Sequence, residues 1–332
     1  MDNSALAIGI DLGTTYSCIA YIDEFGKPVV LKNFEGNSTT PSVVCFQEGS
    51  NELVVGNEAK NNKALEPENV VEFIKRSIGK KNREQFVGSQ SYKPEEISAY
   101  ILKKIIKDAS EKLGQPVEHA VITCPAYFGL NEIEATAQAG IIAGLLGYAG
   151  NSKPNIIPEP TAAAFFYGLQ KARDNEIILV YDLGGGTFDV TLLAVDDGSV
   201  KAICIGGDAE LGGKNWDDEL SNYCILEAKK AGADPDEMYK DAMFIGDLAL
   251  KVEDAKKMLT AKEKTKIAVR FNSQNLLIDL TREKFEEITS AHLERTMILS
   301  NQMLDEAKKL GYEKFDRILL VGGSTKMPQI RL

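Results

Sequence analysis

Residues 178–193 read Ile178-Leu179-Val180-Tyr181-Asp182-Leu183-Gly184-Gly185-Gly186-Thr187-Phe188-Asp189-Val190-Thr191-Leu192-Leu193. This is an apolar strand, a glycine-rich turn opened by an acid, and a second apolar strand. The stretch has a twin near the N-terminus, Leu6-Ala7-Ile8-Gly9-Ile10-Asp11-Leu12-Gly13-Thr14-Thr15-Tyr16-Ser17-Cys18-Ile19-Ala20. Both copies carry Asp-Leu-Gly at the same place in the pattern, 171 residues apart. A motif that recurs at half-chain distance predicts a duplicated architecture with the two copies facing each other across a cleft.

Glycines in such a turn permit positive φ and close backbone approach to a ligand. Successive amides then form a concave anion nest, to which the hydroxyls of Thr14, Thr15 and Thr187 add donors. An acid beside a phosphate nest makes sense when a divalent cation lies between. Mg²⁺ is held through waters, one or two carboxylates and the substrate phosphates, so Asp11 and Asp182 read as a pair of acids for Mg²⁺ and its waters. Two other nucleotide motifs are excluded. No G-x-x-x-x-G-K-[ST] run exists, and the glycine turn opens a strand, residues 190–195, where a dinucleotide fold needs a helix.

The 332-residue chain is long enough for two core-forming units. Its apolar share of 44% and charged share of 26% are those of a soluble globular protein. A net charge of −11 argues against a non-specific nucleic-acid or anionic-membrane surface, so local groups must hold any phosphate ligand. The five cysteines (Cys18, Cys45, Cys124, Cys204, Cys224) form no CxxC or zinc spacing and read as free thiols of a reducing compartment. Neither histidine, His119 nor His292, stands where a triad base would. Without a signal-peptide pattern or a membrane-length apolar run, the chain is expected to be cytoplasmic.

Along the chain, the first hairpin is followed by short strands at 29–31, 42–46 and 53–56 and a helix at 57–62. In Asn69-Val70-Val71-Glu72-Phe73-Ile74-Lys75-Arg76, the Lys-Arg pair reads either as a solvated helix end or as Lys75 reaching a γ-phosphate or an attacking water. A helix begins at Pro94, shows an apolar face at Ile97, Tyr100, Ile101, Ile105, Ala109 and Leu113, and stops at Gly114. Then come a buried strand at 120–125, a helix from Asn131 to about Leu146, a strand at 155–158 and a helix through 161–168. The second half repeats the plan: the hairpin at 178–195, a strand from 199, a glycine-rich loop at 206–213, helices at 216–231 and 247–260, a hairpin at 266–280, a helix over 283–310, and a strand at 317–321 leading to a Gly-Gly turn and helix start. Glu253, Lys256, Lys257 and Thr260 share one helical face, which reads either as solvated or as lining a ribose and base. The first half has a strand and helix after 121 for which the second half shows no equivalent before Leu332, so a truncated second lobe is expected.

Several ordered stretches carry a family likeness: Ile10 to Cys18, Pro125-Ala126-Tyr127-Phe128, Glu159-Pro160-Thr161-Ala162-Ala163-Ala164 with Tyr167-Gly168, Asp182 to Val190, Leu211-Gly212-Gly213 and Val321-Gly322-Gly323-Ser324-Thr325. Together they resemble the ATPase domain of the 70-kilodalton heat-shock chaperones (DnaK type) over nearly the whole chain. The resemblance implies an α/β, duplicated actin-like ATPase fold of the ribonuclease-H-like kind, with mixed sheets and two lobes, residues 1–170 and 171–332, around a nucleotide cleft. It implies ATP or ADP with Mg²⁺, and K⁺ as an optional second ion. Asp11 and Asp182 would hold the metal. Thr14, Thr15, Gly184, Gly185, Gly186 and Thr187 would cradle the β- and γ-phosphates, with Gly13 and Tyr16 also binding the nucleotide. Lys75 and Glu159 would position the attacking water with Asp182, Thr187 and Asp189 in support. Gly213, Glu253, Lys256, Lys257, Thr260, Gly322, Gly323, Ser324 and Lys326 would hold ribose and adenine.

The resemblance further implies a monomer that works with a J-domain co-chaperone and a nucleotide-exchange factor, touches neither nucleic acid nor membrane, and handles client polypeptides only through a further domain absent from this sequence. Pro125 resembles the family's switch proline. The chain departs from the family at Lys257 and Lys326, where arginines usually sandwich the adenine, at Pro158 and Ile133, and in a longer loop at 147–154. An actin-like filament or scaffold ATPase is the alternative within the same superfamily.

Overall fold

The computed structural model describes residues 6–47, 53–171, 176–196, 199–272 and 274–331. The boundary between the expected lobes adjoins residues 172–175, outside the described residues. The first half runs β1 (Ile8–Asp11), β2 (Tyr16–Ile22), β3 (Pro28–Leu31), β4 (Thr40–Pro41), β5 (Val44–Phe46), β6 (Leu53–Val55), α1 (Asn57–Asn62), β7 (Val70–Val71), β8 (Gln85–Val87), β9 (Gln90–Tyr92), α2 (Pro94–Leu113), β10 (Val121–Cys124), α3 (Leu130–Ile142), β11 (Asn155–Pro158) and α4 (Glu159–Lys171). The second runs β12 (Glu176–Leu183), β13 (Phe188–Asp196), β14 (Ser199–Asp208), α5 (Gly213–Lys230), α6 (Pro235–Lys240), α7 (Ala242–Leu259), β15 (Lys264–Phe271), β16 (Gln274–Thr281), α8 (Arg282–Lys309) and β17 (Arg317–Val321).

The two halves build the same sheet. In the first, the order is β11-β10-β1-β2-β3, with β1 antiparallel to β2 and parallel to β10. In the second, it is β14-β13-β12-β17, with β12 antiparallel to β13 and parallel to β17. The registers also correspond: Asp11 stands opposite Cys18 and Asp182 opposite Asp189. Among the described residues the second sheet has no counterpart of β11. The proline in β11, Pro158, lies on a strand at the edge of its sheet, the place where sheets tolerate proline.

Each sheet has its own apolar core. Ile8, Ile10 and Ile122 from the first sheet pack with Ile97, Ile101, Leu102 and Ile105 of α2. Phe188, Val190 and Leu192 of the second pack with Trp216 and Leu220 of α5, Leu248 and Val252 of α7 and Phe285 of α8. Burying each such Leu, Ile or Phe contributes about 1.5–3 kcal/mol. The helix spacing of α2 therefore does what its period predicts, and Gly114 closes it at φ +66°.

Some boundaries differ from the sequence reading for identifiable reasons. Helix α7 starts at Ala242 instead of 247, because Asp241 accepts from the Phe244 amide as its cap. Helix α3 ends at Ile142 instead of near Leu146, since Gly144 turns the chain at φ +93°. Gly206 and Gly207 belong to β14, paired opposite Val190 and Asp189, so the connecting turn is shorter than the glycine run suggests. The 69–79 segment is a two-residue strand and 3₁₀ turns, not a helix end. The turn after Gly322 likewise continues as 3₁₀, not α-helix. The β8–β9 hairpin and α6 have no forerunner in the sequence reading. All five cysteines are free; Cys45, Cys124 and Cys224 are buried and Cys18 and Cys204 half-buried. In the longer loop, the Tyr148 hydroxyl accepts from the Ile8 amide at 2.6 Å and donates to the Leu6 carbonyl at 2.8 Å, anchoring the start of β1.

Candidate functional site

A cavity of about 1540 Å³ opens between the two sheets. The paired turns meet at one side of it. A methyl group on Gly185 would sit 2.1 Å from Thr15 Oγ1, and one on Gly186 would sit 2.4 Å from Thr14 Cγ2, so only glycine lets the turns approach this closely. Asp11, Gly13, Thr14, Thr15, Tyr16, Gly184, Gly185 and Thr187 line the cavity, as do Asp182, Lys75 and Glu159. Gly186 is buried behind the turn contact. Beyond this polar zone the wall is apolar, formed by Phe165 and Phe166 of α4 and Ile318 to Val321 of β17.

The acids are crowded. Asp182 is pushed up to about 8, first by burial and then by Glu159 and Asp11. Asp189 is pushed up to about 8 by burial, Glu159 and Asp182. It is 3% exposed, and its Oδ1 has no hydrogen-bond partner among the described residues. Thr15 Oγ1 is buried and unpartnered in the same way. Asp11 accepts from Thr123 Oγ1 at 2.9 Å.

Lys75 is the buried cation amid these acids. It is 5% exposed, and its Nζ lies 2.6 Å from Glu159 Oε1. Burial works against its charge, but Glu159 and Asp11 outweigh burial and hold the ammonium charged. Burial raises Glu159 against the opposing pull of Lys75. Lys75 thus lies in the cavity wall and not at a solvated end.

At the far end the α7 face turns into the cavity. Glu253, Lys256, Lys257 and Thr260 all line it, with Gly322, Gly323, Ser324 and Lys326 opposite. Gly322 sits at φ +86°, and a Cβ there would lie 2.3 Å from the Leu183 carbonyl oxygen, so glycine is required. Gly213 lies beneath, its carbonyl accepting from Lys256 Nζ at 2.9 Å. Lys256 also pairs with Asp217 at 2.7 Å. Thr260 donates to the Lys257 carbonyl at 2.7 Å. Lys326 is exposed.

Lys257 is engaged in an interlobe cluster. Its Nζ lies 2.6 Å from Glu253 Oε1 and 2.9 Å from the Tyr16 hydroxyl. Tyr16 donates to Glu253 at 2.6 Å, and Lys60 of α1 pairs with the same carboxylate. Burial opposes ionisation of Glu253, but Lys60 and Lys257 outweigh it and hold the carboxyl at about 2. This cluster ties β2 and α1 of the first half to α7 of the second. Glu253→Gln leaves Lys60 and Lys257 without their carboxylate, so it is expected to lower the melting temperature by a few degrees, and an unchanged thermal melt would show that the cluster adds nothing to stability.

Lys60, Arg76, Thr123 and Asp217 join the site although no local pattern singles them out. Each faces a partner far along the chain; Lys60 and Glu253 are 193 residues apart. Arg76 was visible only as the neighbour of Lys75.

Among the described residues no three His, Cys, Asp or Glu side chains converge to hold a bare metal ion, and no helix is long and apolar enough to cross a membrane. The chain matches the family model described as Hsp70 protein over residues 7–91 and 80–332. With the doubled Asp-Leu-Gly sheet and its interlobe cavity, a match of that extent means that this chain belongs to the Hsp70 family, with its actin-like ATPase fold and its role as a nucleotide-binding chaperone ATPase.

Proposed function

We propose that lobes 1–170 and 171–332 bind ATP and ADP with Mg²⁺ between them, hydrolyse ATP slowly, and so control peptide binding by a further domain. The observation that carries this is the buried Lys75–Glu159 pair set among Asp11, Asp182 and Asp189. Surplus buried negative charge with an unpartnered carboxylate oxygen fits a divalent cation. Mg²⁺ keeps several waters and takes few protein carboxylates, which suits two acids. Asp11 and Asp182 would hold it, and bound Mg²⁺ supplies charge neutralisation at phosphate oxygens.

The chain's own groups do the rest. The Gly13–Thr15 and Gly184–Thr187 turns present amides and hydroxyls to the phosphates. Lys75 and Glu159 orient the attacking water, and Asp189 supports them from below. Such catalysis is positioning plus electrostatic stabilisation, as phosphoryl transfer generally requires. Glu253, Lys256, Thr260 and Ser324 suit the ribose and base edge. Lys326, and Lys257 when released from Glu253, provide point charges there in place of stacking guanidinium planes.

A J-domain co-chaperone and an exchange factor are the expected partners, client polypeptides come through the further domain, and the chain works as a cytoplasmic monomer, with K⁺ as an optional second ion. Phosphate release from ATP, without any acceptor substrate, tests the reading: it requires Mg²⁺ and disappears in both Asp11→Ala and Asp182→Ala. Hydrolysis that persists in both variants contradicts the site.

A further inference from the structure

The Gly184–Thr187 turn has its carbonyls engaged from outside. Gly184 O accepts from the Gly213 amide at 3.0 Å and from Ser324 Oγ at 2.8 Å. Gly185 O accepts from the Lys214 amide at 2.8 Å. Gly186 O accepts from Arg76 Nε at 3.0 Å and also from Arg76 Nη2. In a planar trans peptide, the C=O of one residue and the N–H of the next point in opposite directions. The amides of Gly185, Gly186 and Thr187 are therefore turned away from these donors, and their direction depends on all of them.

Gly213, Lys214 and Ser324 belong to the same half of the chain as the turn. Arg76 reaches across from the other half. It rides on the 3₁₀ turn Ile74–Ser77, entered through Phe73 at φ +57°. A left-handed backbone at a bulky residue is strained and persists only where the surroundings enforce it. Here the Phe73 ring carries the Arg76 guanidinium at 5.3 Å and the Lys214 ammonium at 5.7 Å. Successive residues of a 3₁₀ turn point about 120° apart, so Lys75 goes to Glu159 while Arg76 goes to Gly186. Arg76 also donates to the Glu210 carbonyl at 3.2 Å. Its described hydrogen bonds all end on carbonyls, which suits holding a backbone direction.

We propose that Arg76, reaching across from the other half of the chain, is a positioning residue that fixes the peptide between Gly186 and Thr187 and so aims the Thr187 amide into the cleft. The proposal rests on the nucleotide reading of this site.

Arg76→Ala and Arg76→Lys in the intact chain test it. In the nucleotide-free protein, hydrogen–deuterium exchange at Gly185 to Phe188 should rise about tenfold in Arg76→Ala, with the β15–β16 hairpin unchanged. With Mg²⁺-ATP, single-turnover hydrolysis should fall about tenfold or more while ADP affinity moves less than about threefold. Arg76→Lys, a single point donor without the fork, should fall between the wild type and Arg76→Ala. Unchanged exchange at Gly185 to Phe188 in Arg76→Ala overturns the proposal. So does a parallel loss of hydrolysis, ADP affinity and thermal stability, which marks a merely structural arginine. A wild-type chain that binds no nucleotide defeats the functional reading, while the exchange measurement still decides whether Arg76 holds the turn.

Discussion

Lys75→Ala should lower single-turnover ATP hydrolysis about 10²- to 10³-fold while leaving ADP affinity within about threefold. The expectation follows from where the charge sits. Lys75 is buried, pairs with Glu159 at 2.6 Å and is held charged by Glu159 and Asp11. A fixed charge in a water-poor site stabilises developing transition-state charge far more than one in solvent. The contacts expected to bind ribose and base lie on α7 and after β17, so ground-state ADP binding should survive. Removing Lys75 alone strands Glu159, and breaking a buried pair from one side costs about 3–5 kcal/mol. Lys75→Met with Glu159→Gln should therefore recover the melting temperature lost by Lys75→Ala without recovering hydrolysis. Quenched-flow kinetics beside thermal melts separate the two effects; near-normal hydrolysis in Lys75→Ala contradicts the assignment.

The second large effect concerns Asp182 and runs in opposite directions for stability and for ligand binding. Asp182 and Asp189 each stand at about 8 in the folded chain, because burial and neighbouring acids disfavour their charge. Unfolded aspartates titrate near 4. Between those values the folded state holds protons that the unfolded state releases, so stability falls as pH rises from about 4 to about 8. Without divalent cation, the melting temperature should fall by roughly 5–10 °C between pH 5.5 and 8. Asp182→Asn removes one of the repelling charges. It should flatten that slope and raise the melting temperature at pH 8, yet weaken ADP about tenfold in Mg²⁺, close to the affinity left in EDTA. Calorimetric melts across pH and ADP titrations with and without Mg²⁺ check both halves. A variant less stable at pH 8, with Mg²⁺-ADP affinity intact, would show that Asp182 is a structural acid.

The second effect traces to the doubled Asp-Leu-Gly turn, and that feature was legible in the sequence. Glycines, β-branched residues and an acid at a fixed register identify a strand–turn–strand unit because these are local constraints. The structure reproduces the register between copies, placing Asp11 opposite Cys18 where Asp182 faces Asp189. Helix α2 was legible for the same reason, as its apolar period and Gly114 stop are properties of adjacent residues.

What sequence left open is what long-range packing decides. The role of Lys75 turns on Glu159, 84 residues away, and no local pattern separates a buried lysine from a solvated one. The α7 face looked either solvated or ligand-lining. In the structure Glu253 and Lys257 line the cavity and also bond Tyr16 across it. Gly206 and Gly207 read as loop by composition, but antiparallel pairing with β13 overrides that preference. Arg76 was hidden because its partners are backbone carbonyls of Gly186 and Glu210, which leave no mark in a side-chain pattern.

The crowded acids and paired turns are proposed as a Mg²⁺-nucleotide site. Isothermal titration of the whole 332-residue chain with ADP, in Mg²⁺ and then in EDTA, tests it most directly. One site of about micromolar affinity or tighter is expected in Mg²⁺, weakened about tenfold or more in EDTA. No binding heat up to about 1 mM ADP in either buffer, or equal affinity in both, would contradict it.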